Sequence, residues 1–138
     1  MESFLGKFSG LIYALMRIVV GLMFAQHGAQ KLFGWLGGMG EDGGSAAFLS
    51  LMFFAGLIEF FGGLLVAVGY QTSWAAFIAS GQMAVAYFMR HAGQDLFPIQ
   101  NRGESAVVYS FIFLYIASHG AGTLSIDAIF GKKTKDKG

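Results

Sequence analysis

The stretch that decides the fold runs from Gly43 to Met89, GGSAAFLSLMFFAGLIEFFGGLLVAVGYQTSWAAFIASGQMAVAYFM. Its only charged residue is Glu59. A helix needs about 20 predominantly apolar residues to cross the hydrocarbon core of a bilayer. The stretch is therefore too long for one transmembrane helix and suits two. The break falls at residues 69–73, where Thr72 or Ser73 is a candidate N-cap.

Two further apolar stretches flank this one. The first covers about residues 10–36 and contains Arg17 and Lys31, and the second, residues 105–126, is uncharged. We therefore predict an all-α integral membrane four-helix bundle, built as a single domain over residues 1–130. The predicted helices lie near 10–36, 46–69, 73–91 and 104–123, and residues 131–138 are predicted to form a lysine-rich, disordered tail.

The composition also favours a membrane protein. Hydrophobic residues make up 55% of the chain and charged residues 12%, against about 45–50% and about 25% in soluble domains. A net charge of +1 from nine basic residues provides no field for nucleic acid, so we expect no nucleic-acid partner. The chain has no cysteine, which excludes disulfides, thiol redox chemistry and thiolate-bound metals.

Lysine and arginine residues predict the orientation in the bilayer. Four spans place both termini on one side, and the positive-inside rule assigns the more basic side to the cytoplasm. We therefore expect a multi-pass membrane protein with both termini cytoplasmic and a tail that touches anionic lipid. The expected inner side carries Lys7, Lys132, Lys133, Lys135 and Lys137, and the outer side carries Lys31, Arg90 and Arg102.

Small residues recur every four positions on the predicted helices. Gly21, Ala25 and Ala29 do so on the first helix. In lipid the hydrophobic effect does not draw helices together, so small residues at contact faces allow close approach. We expect these faces to pack within one chain, and a homo-oligomer formed through one of them is the alternative.

Three polar residues are predicted at the same membrane depth. With a rise of about 1.5 Å per residue, Arg17 lies roughly 10 Å above the inner surface, Glu59 reaches the same level, and Gln82 lies slightly above it. Ionisable residues within a span usually face the bundle interior and have a partner. We predict a buried cluster in which Arg17 and Glu59 form an ion pair beside Gln82. Its role is left open between a structural clamp and a proton relay or cavity floor.

A second polar group is predicted near the outer surface. His27 and Lys31 lie one turn apart on the first helix, Asn101 is a candidate cap of the fourth helix, and Glu104 opens that helix. These four residues are the candidates for binding a polar head group such as a quinone carbonyl. His91 ends the third helix, opposite Gln82 on a helical wheel, so we expect it to face away.

Other sites are less strongly indicated. Tyr115 and His119 share one face of the fourth helix with Glu104. Haem is disfavoured as a cofactor. His27 and His91 are the only histidines at matching depth, and His91 is expected to face away from the bundle interior. No metal site is predicted, since no cluster has ligand spacing, and no catalytic residue is identified.

Four motifs, taken in order, resemble those of the DoxX family of small bacterial membrane proteins. They cover nearly the whole chain, and together they are more specific than any one alone. The motifs are Arg17 with Gly21, His27-Gly28 and Lys31-Leu32-Phe33-Gly34; Ile58-Glu59 with Gly62-Gly63-Leu64-Leu65; Phe97-Pro98 with Asn101-Arg102-Gly103-Glu104; and Gly120-Ala121-Gly122 with Ser125-Ile126-Asp127.

The resemblance implies a four-helix membrane protein associated with quinone-linked oxidoreductases, such as a subunit of thiosulfate:quinone oxidoreductase. Thiol-linked relatives exist, and the absence of cysteine separates this chain from them. The positions that the resemblance singles out are Arg17, His27, Lys31, Glu59, Asn101, Glu104 and Asp127.

We therefore expect an accessory protein of the bacterial inner membrane that binds a quinone or docks a peripheral redox partner, and that is not an enzyme alone. The sequence identifies no cofactor with certainty; a quinone is the candidate, and haem is not expected. Two alternatives remain open. One is a purely structural membrane scaffold, and the other is an exporter or channel subunit for small molecules.

Overall fold

The computed structural model describes residues 1–135 of the chain, with side chains through Gly131. None of the described residues belongs to a β-strand, and the all-α prediction is confirmed. Short helical turns at Glu2–Leu5, Gly6–Phe8 and Pro98–Asn101 accompany five longer helices. The longer helices are α1 (Ser9–Phe33), α2 (Leu51–Val68), α3 (Thr72–Arg90), α4 (Glu104–His119) and α5 (Ile126–Lys135).

Local sequence explains where the helices begin and end. Helix α1 stops at Phe33 because Gly34 adopts a left-handed conformation with φ +68°. Helix α2 starts five residues later than position 46, because Ser50 caps it by accepting a 3.2 Å hydrogen bond from the Phe53 N–H. Helix α4 stops before residue 120, because Gly120 leaves the helical region with φ +87°.

Helix α5 continues to Lys135, so it includes the first residues of the predicted tail, and residues 136–138 lie outside the described part. The Ser125 hydroxyl accepts a 3.2 Å hydrogen bond from the Ala128 N–H at the start of α5. Asp127 lies in the first turn, where an acidic residue suits the helix dipole.

Helices α1 and α2 pack antiparallel with their backbones almost in contact. A Cβ atom on Gly21 would lie 2.6 Å from the Gly63 carbonyl oxygen, and one on Gly28 would lie 2.2 Å from the Phe60 nitrogen. Gly63 in turn meets Gly21 and Ala25. These contacts fix the register of α1 against α2, so that the C-terminal half of α1 lies beside residues 56–60 of α2.

Helices α3 and α4 form a second antiparallel pair that packs on the first. Ser80 Oγ donates to the Ser110 carbonyl at 2.7 Å, and Ser110 Oγ donates to the Ser80 carbonyl at 3.1 Å. These reciprocal bonds satisfy both hydroxyls in an apolar interface. The core between the two pairs is formed by fully buried side chains from all four helices, among them Phe24, Val66, Ala76, Phe113 and Ile116.

The outside of the helices is apolar. Trp74, Phe88 and Phe111 are each at least two-thirds exposed. Soluble monomers rarely expose contiguous apolar patches of more than a few hundred Å². Within the described residues, Glu2–Phe33 and Leu51–Val68 are the two helical segments whose length and composition suit a membrane span. The exterior therefore has the character of a lipid-facing surface.

Replacing Gly28 by alanine should destabilise the protein by about 1–3 kcal/mol, because the added methyl meets the α2 backbone. Gly81→Ala is the matched control, since a Cβ there meets no atom within 4 Å and alanine favours a helix interior. Unfolding midpoints in detergent micelles should separate the two variants. Equal midpoints would contradict the close α1–α2 contact.

Candidate ligand-binding site

A cavity of about 440 Å³ lies among α1 to α4, near the ends of α1 and α3 and the starts of α2 and α4. Its size falls within the range of about 300–1,000 Å³ typical of small-molecule sites. The wall is apolar over most of its area, with Leu51, Met52, Val85 and Met89 at the α2–α3 side. The polar residues of the wall are His27, Lys31, Glu59, Gln82, Arg90, His91, Gln94, Ser105 and Tyr109.

Glu59 is the buried charge of this wall, with 3% of its surface exposed. Lys31 Nζ of α1 forms an ion pair with Glu59 Oε2. Gln82 Nε2 of α3 donates to Glu59 Oε1 at 2.8 Å. A buried carboxylate needs such partners because desolvation otherwise makes its charged form too costly. The contact between Glu59 and Gln82 agrees with the sequence prediction.

A π-helical turn at Ile58–Gly62 surrounds Glu59 and interrupts α2. Such turns are rare and occur frequently at functional sites, because the extra residue per turn redirects a side chain. Here the turn begins one residue before Glu59, and the Glu59 carboxylate meets partners from both α1 and α3. No pattern in the sequence predicted this irregularity.

The predicted Arg17–Glu59 ion pair is wrong. Arg17 is completely buried and donates to four backbone carbonyls instead. Nη1 donates to Val66 and Ala67, each at 2.7 Å, and Nη2 donates to Leu124 at 2.7 Å and Thr123 at 3.2 Å. Arg17 thus satisfies the free carbonyls at the C-terminal end of α2 and ties them to the segment before α5.

The late start of α2 explains the error. Counted from Leu51, Glu59 lies about 12 Å from the N-terminal end of α2, whereas a helix that started at residue 46 would place Glu59 about 20 Å from that end. Glu59 is therefore too near the N-terminal end of α2 to meet Arg17. Lys31, which lies in the C-terminal half of α1, forms the ion pair with Glu59 instead.

Two buried polar atoms of cavity residues have no hydrogen-bond partner. They are Gln82 Oε1 and the Tyr109 hydroxyl oxygen. A buried polar group without a partner costs about 1–3 kcal/mol. Both residues also line the cavity.

The two histidines of the cavity come from different elements. His27 of α1 is exposed, and its ring stands edge-on to that of Tyr109, with centroids 6.2 Å apart. His91 also lines the cavity, contrary to the expectation that it faces away. The reason is that α3 ends at Arg90, so the helical wheel no longer applies to His91. His91 Nδ1 lies 2.9 Å from the Asn101 carbonyl oxygen.

Two of the four predicted head-group residues do not line the cavity. Asn101 is buried and holds the α3–α4 connection together. Its amide nitrogen donates to the Tyr87 hydroxyl at 3.1 Å and the Asp95 carbonyl at 3.0 Å, and its Oδ1 accepts from the Gly103 N–H at 2.8 Å. Asn101 therefore acts within the loop and makes no side-chain cap on α4. Glu104 is exposed outside the cavity wall.

The remaining predicted residues lie at the opposite end of the molecule. The rings of His119 and Tyr13 pack with centroids 3.9 Å apart, and Tyr115 stands edge-on to Tyr13. Asp127 accepts from the N–H groups of Gln71 and Thr72 at 3.0 and 3.1 Å and from the Thr72 hydroxyl at 3.0 Å. Asp127 thus caps α3 from a distant part of the chain, and Thr72 is not the N-cap.

A comparison with protein families identifies the chain. The model of the DoxX family matches residues 12–92, which is more than half of the sequence. The chain belongs to the DoxX family. It is also 41% identical over 132 residues to an uncharacterized protein of Haemophilus influenzae, and the alignment covers 94% of this chain and 98% of that relative. No solved structure matches the chain.

The matched region of this DoxX-family chain includes the cavity residues of α1, α2 and α3. Tyr109 of α4 lies outside that region and was not predicted from the sequence. One sequence signal could have found it. Ser105 and Tyr109 are four residues apart, which places them on one face of α4, and both line the cavity.

Replacing Arg17 by methionine should lower the free energy of unfolding by about 2–4 kcal/mol, because four buried carbonyls lose their charged donor. Arg90→Met is the matched control. Arg90 is exposed, and the hydrogen bond described for its side chain is to the Met52 sulfur. Its replacement should therefore lower the free energy of unfolding by no more than about 0.5 kcal/mol. Denaturation in micelles measures both, and a larger effect at position 90 would refute the role of Arg17.

Proposed function

We propose that this DoxX-family protein is an accessory protein of the bacterial inner membrane that binds a quinone, or a similar amphipathic molecule, in the cavity. It serves a quinone-linked oxidoreductase or detoxification system and docks the partner that carries out electron transfer. In this proposal α1 to α4 are four spans, and both termini lie in the cytoplasm.

The apolar exterior and the helix lengths support the membrane arrangement. Helix α3 has 19 residues and α4 has 16, which correspond to about 28 and 24 Å. The hydrocarbon core is about 30 Å thick, and short spans are accommodated by local thinning of the bilayer and by long flanking side chains. The lysines of α5 would lie on the cytoplasmic side, as the positive-inside rule requires.

The cavity carries the ligand proposal. A quinone combines a flat head, which bears carbonyl acceptors, with an apolar tail. The cavity wall offers donors for carbonyl groups in Lys31, His27 and Tyr109 and an apolar side at Met52 and Met89. The free Tyr109 hydroxyl is the observation that most favours a bound polar head.

The residues of this chain would hold and orient the head group. The Lys31 ammonium has two donors beyond the one shared with Glu59, and His27 stands exposed on the same face of α1. The Lys31–Glu59 pair would also keep charge and a titratable carboxylate beside the ligand. When bound, the quinone supplies the redox chemistry.

A structural scaffold is the second candidate. Both oxygens of Glu59 are already paired by this chain's own residues, Lys31 and Gln82. Such a cluster can hold the register of three helices without any ligand. In that case the cavity would remain filled by lipid or water.

Blocking the cavity tests the proposal. Ala55 lines the cavity, and Ala55→Trp should fill it without removing a polar group. Phe54→Trp is the matched control, since Phe54 is the neighbouring residue and is 49% exposed on the outside of α2. Protein purified in mild detergent should retain co-purifying quinone in the wild type and in Phe54→Trp, and at least about tenfold less in Ala55→Trp.

Mass spectrometry and absorption spectroscopy of the extracted molecules measure this retention. The proposal fails if the folded wild type carries no more quinone than a membrane protein of similar size without a cavity. It also fails if Ala55→Trp retains as much quinone as the wild type. A folded wild type that carries no quinone would support the scaffold.

A further inference from the structure

The two free polar groups of the cavity differ in what they can bind. The Tyr109 hydroxyl can either donate or accept a hydrogen bond, whereas the side-chain oxygen of Gln82 can only accept one. Both are buried without a partner. Gln82 is therefore the residue that can distinguish one head group from another.

The orientation of the Gln82 amide follows from the chemistry of Glu59. Lys31 Nζ forms an ion pair with Glu59 Oε2. An ionised carboxylate only accepts hydrogen bonds, so the Gln82 atom 2.8 Å from Glu59 Oε1 must be the amide nitrogen. If the amide were flipped, the Gln82 oxygen would face Glu59 Oε1, and two acceptors would lie against each other. The Gln82 oxygen therefore points away from Glu59 and needs a hydrogen-bond donor from elsewhere.

We infer that the cavity prefers a head group that carries a hydroxyl donor, and so binds the quinol form more tightly than the quinone. This inference rests on the function proposed above. A quinone offers only carbonyl acceptors and leaves Gln82 Oε1 unpaired. Its quinol has the same ring and tail, and one of its hydroxyls can donate to Gln82. The Tyr109 hydroxyl pairs with either form.

The preference should be about tenfold, the scale of one hydrogen bond gained by a buried acceptor. Tighter binding of the reduced form also raises the midpoint potential of the bound couple. For a two-electron couple, a tenfold difference in affinity corresponds to about 30 mV. The protein would therefore withdraw the reduced form from the membrane pool.

Binding of both forms by the full-length protein tests the inference. Decylubiquinone and decylubiquinol would be titrated separately, without oxygen, into the protein in lipid nanodiscs, and the two dissociation constants measured by calorimetry. The wild type should bind the quinol about tenfold more tightly. In Gln82→Met, which keeps the length of the side chain and removes its amide, the two constants should become equal.

Gln26→Met is the matched control. Gln26 lies on α1, is exposed and does not line the cavity. This variant should keep the preference of the wild type, because it leaves the Gln82 oxygen untouched.

Each outcome decides the inference. Equal binding, or tighter binding of the quinone, by the wild type would overturn it and leave the proposed function standing. If the wild type binds neither the quinone nor the quinol, both this inference and the proposed function fail. If the preference persists in Gln82→Met, the assignment to Gln82 is wrong. If Gln82→Met does not fold, the ratio of the two dissociation constants for the wild type and for Gln26→Met still decides.

Discussion

A carboxylate within an apolar protein needs partners, and the surroundings of Glu59 follow from that need. Lys31 and Gln82 reach it from two different helices. Because each contact is short, Glu59 fixes the positions of α1 and α3 relative to α2. The close glycine contacts between α1 and α2, such as Gly28 against Phe60, bring the backbones near enough for this arrangement. One charge thus joins three helices and forms part of a cavity wall.

The two ends of the molecule have different roles. At the end near α5, side chains satisfy backbone groups. Arg17 binds the last carbonyls of α2, and Asp127 caps the first N–H groups of α3. Both contacts join residues that are far apart in sequence, so they lock the helix ends together. At the other end, the polar side chains surround a cavity, and two of them, Gln82 and Tyr109, keep unpaired atoms. The contacts that cap helix ends and the candidate binding cavity therefore lie at opposite ends of the helices.

Hydropathy predicted the all-α fold and the membrane character, because both depend on the length of apolar stretches. The contact between Glu59 and Gln82 was also predictable, since few polar residues exist at that depth. The partner of Arg17 was not, because a cap at Ser50 delays α2 by five residues and shifts every depth along it. His91 was misplaced for a similar reason, as a helical wheel assumes that the helix continues. Both errors arose from single residues at helix ends, and the composition of an apolar stretch does not show where its helix begins or ends.

The most direct test of this account is a pair of double-mutant cycles on the free energy of unfolding in micelles. One cycle combines Glu59→Gln with Lys31→Met, and the other combines Glu59→Gln with Arg17→Met. The account predicts a coupling of about 2 kcal/mol between Glu59 and Lys31, and less than about 0.5 kcal/mol between Glu59 and Arg17. A coupling of Glu59 to Arg17 that exceeds its coupling to Lys31 would contradict the helix register on which the cavity depends.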